Sequence, residues 1–259
     1  MSVLEADAPI LSSPVAKTRT LPKVATASAV LRDLFIVTWA VSPEKAQALV
    51  PAGVLLERLP NEQGELVAFA QLVVALRDDA RWSPLPQQLG DDFHEATLQI
   101  LTRTGTERSA FVIKHFVDST PVATSLAAFT RVVDEARFNV YVAGDPARQT
   151  FDRLGIKLTT HAIQVHVRAE VTETPEKTSI GPWHETVRFL TRLECQLHPP
   201  RLTKEGMSVF RSQHPPLTPF AAKLTHQIVR PLESLELGEP LVAFYQAELP
   251  ITNLPIRRT

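Results

Sequence analysis

The apolar positions of this chain fall mainly into short strand-like runs separated by turn residues. The clearest case is Phe93 to Asp118, FHEATLQILTRTGTERSAFVIKHFVD, where two runs rich in Val, Ile, Phe and Thr flank Thr104-Gly105-Thr106-Glu107. That pattern predicts a β-hairpin, and glycine at the first central position of a two-residue loop suits a type II′ turn. If Thr104 faces Glu107 and the register continues unbroken, Gln99 faces Val112, Thr97 faces Lys114 and Glu95 faces Phe116. Glu95 is then diagonal to Lys114, roughly 7 Å away on one face. A carboxylate and an ammonium would share a surface with Val112 and Phe116.

The other runs follow in order. Met1 to Ala29 is rich in Ser, Thr, Pro and Ala without a sustained period, and is expected to be a loosely ordered arm. From residue 30 to 259 a single domain is expected. LRDLFIVTWAV reads as a strand, and Ser42-Pro43-Glu44 supplies an N-cap and a first-turn proline for a brief helix ending at Pro51-Ala52-Gly53. VLLERL and ELVAFAQLVVALR read as two strands joined through Asn61-Glu62-Gln63-Gly64. Arg77 to Asp92, polar and holding two prolines, is expected to be an exposed loop, with Trp82 either anchoring a lid or simply packing. After the hairpin, Ser119-Thr120-Pro121 begins VATSLAAFTRVV, where Val122, Leu126, Phe129 and Val133 recur at helical spacing. Strands are expected at Phe138 to Val142 and over the alternating run Leu158 to Val171. AAKLTHQIVRPL, from Ala221, reads as helical, and PLVAFYQAELPI as a last strand. Strand-turn-strand units without βαβ alternation predict a mainly β fold with peripheral helices: a strongly curved antiparallel barrel or sandwich.

Composition narrows the function classes. The 259 residues carry a formal charge of −1 with Lys/Arg and Asp/Glu interspersed, which leaves no electrostatic footprint for nucleic acid or an anionic membrane. No apolar run approaches the roughly 20 residues of a membrane helix, and the N-terminus is acidic where a signal peptide needs basic residues. The single cysteine, Cys195, fits a reducing compartment and reads as a small buried hydrophobe before it reads as a nucleophile. A cytoplasmic protein is expected, and self-association stays open. There is no G-x-G-x-x-G, P-loop or G-x-S-x-G, so no nucleotide cofactor is implied. On a single strand His161 and His166 would point in opposite directions, and no other pair has a zinc spacing, so no metal is expected either.

Several segments resemble a known family. Arg32-Asp33-Leu34-Phe35 with IVTWAV, then LVPAGVLLE and LVAFAQLVVALRD, are similar to the opening of the acetoacetate decarboxylase-like superfamily. FHEATLQI, ERSAFVIKHFVDS, FLTR at Phe189 to Arg192 and HPPLTPFAAKL at His214 to Leu224 resemble its uncharacterised DUF2071 (YqjF-like) branch. The likeness spans roughly residues 30 to 250. It implies a cone-shaped β-barrel with outer helices and an internal ligand cavity. In the decarboxylases a lysine forms a Schiff base with a β-keto acid, and a second lysine lowers its pKa. Arg32 matches the family's substrate-orienting arginine. The expected glutamate is replaced by Ala70 or Gln71, which makes Gln71 a candidate substrate contact. The paired lysines of the G-x-P-K-K setting are missing, because Ser119-Thr120-Pro121-Val122 stands there. Lys114-His115 resembles the dyad only superficially.

Each candidate has a functional and a structural reading. Lys114 is a Schiff-base amine, or a lysine snorkelling from its strand. Glu95 is an acid or base near a keto group, or a salt-bridge partner. Arg32 holds a substrate carboxylate, or pairs with Asp33 or Asp78. His94 shuttles a proton, or is hydrogen-bonded in its strand. Two functions follow: an enzyme acting on a carboxylated or keto small molecule as a lyase, hydratase or isomerase, or a non-catalytic barrel that binds such a ligand.

Overall fold

The structure is a computed structural model that describes residues 27–82, 92–144, 151–161, 163–193, 195–199, 206–254 and 257–258. The first half of the chain contains β1 (Ala27–Val41), α1 (Pro43–Gln47), β2 (Leu55–Leu56), β3 (Leu59–Pro60), β4 (Leu66–Trp82), β5 (Phe93–Thr104), β6 (Glu107–Val117) and α2 (Thr120–Ala127). Next come β7 (Val133–Glu135), β8 (Arg137–Ala143), β9 (Arg153–Thr159), β10 (Gln164–Val171), β11 (Lys177–Thr178), β12 (Gly181–Pro182) and α3 (Trp183–Thr191). The last elements are β13 (Cys195–His198), β14 (Ser208–Phe210), β15 (Ser212–Gln213), β16 (Phe220–Val229), a 3-10 segment (Arg230–Leu235), β17 (Val242–Asn253) and β18 (Arg257–Arg258).

Among the described residues, sixteen strands form one sheet with the main order β18-β14-β13-β6-β5-β4-β1-β17-β16-β10-β9-β8. Its pairings are antiparallel except at β6, which pairs in parallel with β13 through Ser109–Phe111 and with β7 through His115–Val117. Only Ala136 separates β7 from β8, the strand at the far end of the order, so the sheet curls back on itself through the chain. In place of the expected barrel, the described residues form one large mixed sheet curled in this way, whose two end strands, β18 and β8, are not paired with each other.

The curl encloses one apolar core, built from Phe35, Val37 and Trp39 of β1, Leu98 and Ile100 of β5, and Ile156, Leu158, Val165 and Val167 of β9 and β10. A second core lies on the opposite face, where Leu34, Ile36, Phe69, Phe93 and Phe244 meet the helices. On α3, Trp183, Thr186, Val187 and Leu190 are buried at i, i+3, i+4 and i+7, while His184, Glu185 and Arg188 face out. Each large apolar side chain so buried contributes about 1.5–3 kcal/mol. Burial on both faces explains why the central strands read as nearly continuous apolar runs.

Local signals worked where the partner was also local. The hairpin turn forms as expected, with Thr104 opposite Glu107 and Gly105 at φ 61, the positive φ that a first central position of type II′ requires. Ser42 caps α1 by accepting from the Lys45 backbone N–H at 3.3 Å, with Pro43 in the first turn.

Four expectations are corrected. β4 does not end at Arg77 but runs on to Trp82, paired with β1 as far as Ala27, so the first part of the expected loop is strand; residues 83–91 and the Trp82 side chain lie outside the described residues. Leu158 to Val171 is not one strand: Thr160 and Ile163 close a tight turn between β9 and β10, so His161 sits in a turn and its direction relative to His166 says nothing about metal binding. The segment from Ala221 is strand β16, because β10 on one side and β17 on the other offer it ladder partners that outweigh its weak helix propensity. Finally, α2 stops at Ala127. Beyond it Phe129 O accepts from Ser208 Oγ and Thr130 Oγ1 donates to Pro199 O, both at 2.8 Å, and Val133 enters β7. Of the expected N-terminal arm, residues 27–29 belong to β1 and the remainder lies outside the described residues. Among the described residues no helix is long and apolar enough to cross a membrane.

Candidate active site

A cavity of about 220 Å³ lies between the helix-covered face of β17-β1-β4-β5-β6 and a cover made of α2, the end of α3 and β13 to β15. Its walls are largely apolar, with Leu34, Ile36, Leu126, Phe129, Leu190 and Ile251 among them. Alternation along the strands then delivers a few polar side chains to the same space: Gln71 and Arg77 from β4, Glu95, Thr97 and Gln99 from β5, His115 from β6, and Gln196 and His198 from β13.

The register of β6 decides which of its residues reach this space. Gln99 faces Val112, as the turn predicts, but Leu98 faces Lys114 and Thr97 faces His115, leaving Ile113 as an extra residue. This β-bulge lies where β6 passes from its parallel partner β13 to its parallel partner β7. One surplus residue exchanges the two faces beyond it, so His115 turns to the cavity and Lys114 turns away. A second register shift, between Arg32 and Phe35 with Asp33 at φ 50, puts Leu31, Leu34 and Ile36 on the cavity side and Arg32 on the other. The Asp33 carboxylate accepts from Tyr245 Oη at 2.5 Å, which anchors that irregularity.

The polar centre is a buried acid and two imidazoles. Glu95 Oε2 is 2.7 Å from Arg77 Nε and 3.4 Å from His115 Nε2. The His115 and His198 rings follow at 5.9 Å between centroids, and His198 also packs on Phe210 at 4.2 Å. Burial pushes the Glu95 carboxyl up, but the guanidinium of Arg77 and then His115 outweigh it, so the carboxyl falls to about 2 and is ionised at neutral pH. His198 is 1% exposed, and its pKa lies well below the ordinary imidazole value, first through burial and then through repulsion from His115, against a smaller pull from Glu95. It is therefore a neutral base at neutral pH. Among the described residues, both ring nitrogens of His115 and both of His198 are buried without a hydrogen-bond partner, the 3.4 Å contact to Glu95 being an ion-pair distance outside hydrogen-bond geometry. Such groups are costly to bury unless a ligand meets them.

A row of carboxamides borders this centre. Gln196 Nε2 donates to Gln99 Oε1 at 3.0 Å, Gln99 Nε2 donates to Gln71 Oε1 at 2.9 Å, and Gln71 Nε2 donates to Thr38 Oγ1 at 3.0 Å and to Leu190 O at 3.1 Å. Leu190 O is one of the last carbonyls of α3, which have no partner inside the helix. Gln71 therefore ties the helix end to the sheet.

Of the five residues singled out from the sequence, two reach the cavity. Glu95 stands at its polar centre and Gln71 in its wall. Lys114 is not beside Glu95: its Nζ pairs with Asp134 Oδ2 at 2.7 Å, on the face carrying Leu98 and Phe116. His94 hydrogen-bonds Asp118 Oδ2 through Nδ1 at 2.8 Å and stacks on Phe138, away from the cavity lining. Arg32 is half exposed and pairs with Asp78 and, at 4.0 Å, with Glu248. Among the described residues lining the cavity there is no lysine, and among the described residues no group of three metal-ligating side chains occurs.

Arg77, His115, His198, Gln99 and Gln196 went unmarked in the sequence. Arg77 was legible in principle, since the alternation Val73, Ala75, Arg77 continues without a break into the segment assigned to a loop. Gln196 and His198 also sit two apart in C-Q-L-H, just before the prolines. Nothing local marks the bulge that selects His115.

No protein-family model matches the chain, and no curated protein matches it. Solved structures do. An acetoacetate decarboxylase-like enzyme from Sphingomonas wittichii RW1 superposes with a TM-score of 0.63 at 14% identity, covering 98% of this chain and 99% of that one. Acetoacetate decarboxylase from Legionella pneumophila gives 0.60 at 14% identity, covering 98% and 97%. The enduracididine biosynthesis enzyme MppR, complexed with pyruvate, gives 0.60 at 14% identity, covering 95% and 94%. The chain thus has the acetoacetate decarboxylase-like fold over nearly its whole length. At this identity the likeness carries the fold and not the chemistry.

Proposed function

We propose that the chain is a small-molecule enzyme that moves a proton at carbon next to a carbonyl, using His198 as base and His115, backed by Glu95, as the facing donor. The observation that carries this reading is the pair of buried imidazoles whose four ring nitrogens have no hydrogen-bond partner among the described residues and which line one cavity. A neutral His198 takes a proton from the α-carbon; the released C–H pair forms a double bond to the carbonyl carbon while the carbonyl π pair moves onto oxygen, giving an enolate. The ionised Glu95 favours a hydrogen on the facing Nε2 of His115, so donation to that oxygen comes from the Nδ1–H of a ring protonated on both nitrogens. With an α-hydroxyl, transfer of its proton to the enolate oxygen and return of the His198 proton to the former carbonyl carbon gives an isomerase; with a β-hydroxyl, delivery of the His198 proton to that hydroxyl as the enolate collapses expels water and gives a hydratase-type lyase.

The family's amine mechanism is not supported, because no lysine is present among the described lining residues. A keto compound is favoured over a carboxylate by charge. The lining arginines are already paired, Arg77 with Glu95 at 2.7 Å and Arg211 with Glu107 at 2.6 Å. The cavity volume is below the roughly 300–1,000 Å³ typical of drug-sized sites, which fits a ligand of a few carbons.

The test is solvent deuterium uptake into a panel of short ketones and hydroxyketones, followed by proton NMR. Uptake should require His198 and fall by about 10²-fold or more in His198→Gln, while Lys114→Met should retain it. Uptake that survives His198→Gln, or a borohydride-trapped adduct on a lysine, would sink the proposal. Ligand binding with no uptake in the native protein would return the non-catalytic binding barrel.

A further inference from the structure

The direction of the glutamine row is determined, and it settles what its open end offers to a ligand. A backbone carbonyl can only accept, so the contact at Leu190 O makes that corner of the Gln71 carboxamide its N–H₂ group. Both hydrogens of that group are then used, one on Leu190 O and one on Thr38 Oγ1. Gln71 therefore presents its oxygen to Gln99, which must answer with nitrogen and present its own oxygen to Gln196. Gln196 answers with nitrogen in turn, which leaves its Oε1 as the end of the row, without a hydrogen-bond partner among the described residues. Gln71 and Gln99 are 1% exposed, so reversing the row would set the Gln71 oxygen against the Leu190 carbonyl out of water. Gln196 itself is only partly buried and lies in the cavity wall. Two positions along the same strand, and so on the same face, stands His198, roughly 7 Å away.

We propose that Gln196 is the specificity-determining residue of this cavity, and that its oriented carboxamide oxygen selects a ligand carrying a hydroxyl or N–H donor a short distance from its carbonyl. The substrate class is then a short hydroxyketone. This inference rests on the cavity being the carbonyl site described above, and it names the substrate class of that site. A keto acid would set its carboxylate against the Gln196 oxygen. A plain ketone would leave that oxygen buried without a donor. Sites built to meet a hydroxyl discriminate far more strongly than apolar pockets do against an analogue lacking it.

A matched series separates these cases: 4-hydroxybutan-2-one, pentan-2-one and acetoacetate share the methyl ketone and differ in what stands at the far end. Calorimetric or NMR titration of the full chain should show the hydroxyketone bound about tenfold more tightly than pentan-2-one, with acetoacetate weakest. In Gln196→Met that preference should shrink to about twofold or less, since methionine keeps the length and offers no strong acceptor. In Gln71→Met the row loses its fixed end, and acetoacetate should gain relative to the hydroxyketone while Gln196 is still present. Pentan-2-one binding as well as the hydroxyketone, acetoacetate binding best, no detectable binding of the hydroxyketone, or a preference that persists in Gln196→Met each overturns the proposal. Failure here is distinct from failure of the enzyme reading. Deuterium uptake dependent on His198 without discrimination removes only the role of Gln196, whereas discrimination without uptake leaves Gln196 as a binding determinant and removes catalysis.

Discussion

Glu95 and His115 meet at 3.4 Å across the β5–β6 pair because one residue, Ile113, is left over between them and the turn at Gly105. An unbroken ladder would have put Lys114 on that face, and with it a different chemistry. The bulge replaces an ammonium by an imidazole beside a buried carboxylate, and leaves the carboxylate to Arg77.

That exchange predicts opposite costs for two lysine- or arginine-to-methionine changes. Arg77 and Glu95 are both largely buried, so Arg77→Met leaves an uncompensated carboxylate and should destabilise the fold by about 3 kcal/mol or more. Lys114 and Asp134 are each about one-third exposed, so Lys114→Met should cost about 0–1 kcal/mol. Urea denaturation of the two variants measures both. Equal costs would mean that the pairs have been assigned to the wrong environments.

The pH dependence of stability has one sign for the two shifted groups that line the cavity, Glu95 and His198. The folded pKa of Glu95 is held at about 2 against about 4.5 unfolded, so its contribution is fully present above 4.5 and is lost as pH falls toward 2. It amounts to roughly 3 kcal/mol. His198 is depressed below 6.5, so the unfolded chain takes up a proton first and stability declines as pH drops below about 6.5. Between pH 7 and 5 the His198→Gln variant should therefore lose less stability than the native protein, with the slope reduced by up to one proton. Denaturation midpoints across that range would show identical slopes if His198 were not buried and neutral.

The irregularity in β1 carries a hydrogen bond from Tyr245 to Asp33. Tyr245→Phe removes the hydroxyl that donates to Asp33, a residue already held at φ 50. The expected loss is about 1–3 kcal/mol. The tyrosine hydroxyl should also resist ionisation in alkaline titration, because burial and then the Asp33 carboxylate both push its pKa up. A phenol that ionises in the ordinary range at Tyr245 would contradict the contact.

The carboxamide row also supports α3 mechanically. Gln71→Leu strips Leu190 O of its donor, and Arg108→Leu strips Phe189 O of its own. Each change should therefore lower the hydrogen-exchange protection of α3 more than that of β9 and β10, which touch neither. Uniform loss across the molecule would show that α3 does not depend on these two side chains for its docking.

The sequence by itself determined the mainly β character, the central hairpin and its turn, the cap of α1 and the lack of any nucleotide or hydrolase motif. These follow from alternation, propensity and turn chemistry, all of which act between neighbours along the chain. Tertiary structure decided the rest. Whether Ala221 onward is helix or strand depends on β10 and β17 lying on either side of it. Whether Lys114 or His115 reaches Glu95 depends on β13 and β7 dividing β6 between them, with a surplus residue at the handover. A strand's side-chain period is two, so one such residue reverses every assignment beyond it, and no local pattern records where it falls. Glu95 was singled out through an expected neighbour, Lys114, that the bulge turns away, and Gln71 through the family resemblance; both reach the cavity because the bulge lies on β6 and not on their own strands. Arg77, His115, Gln196 and His198 converge only after strands far apart in the chain have chosen their partners.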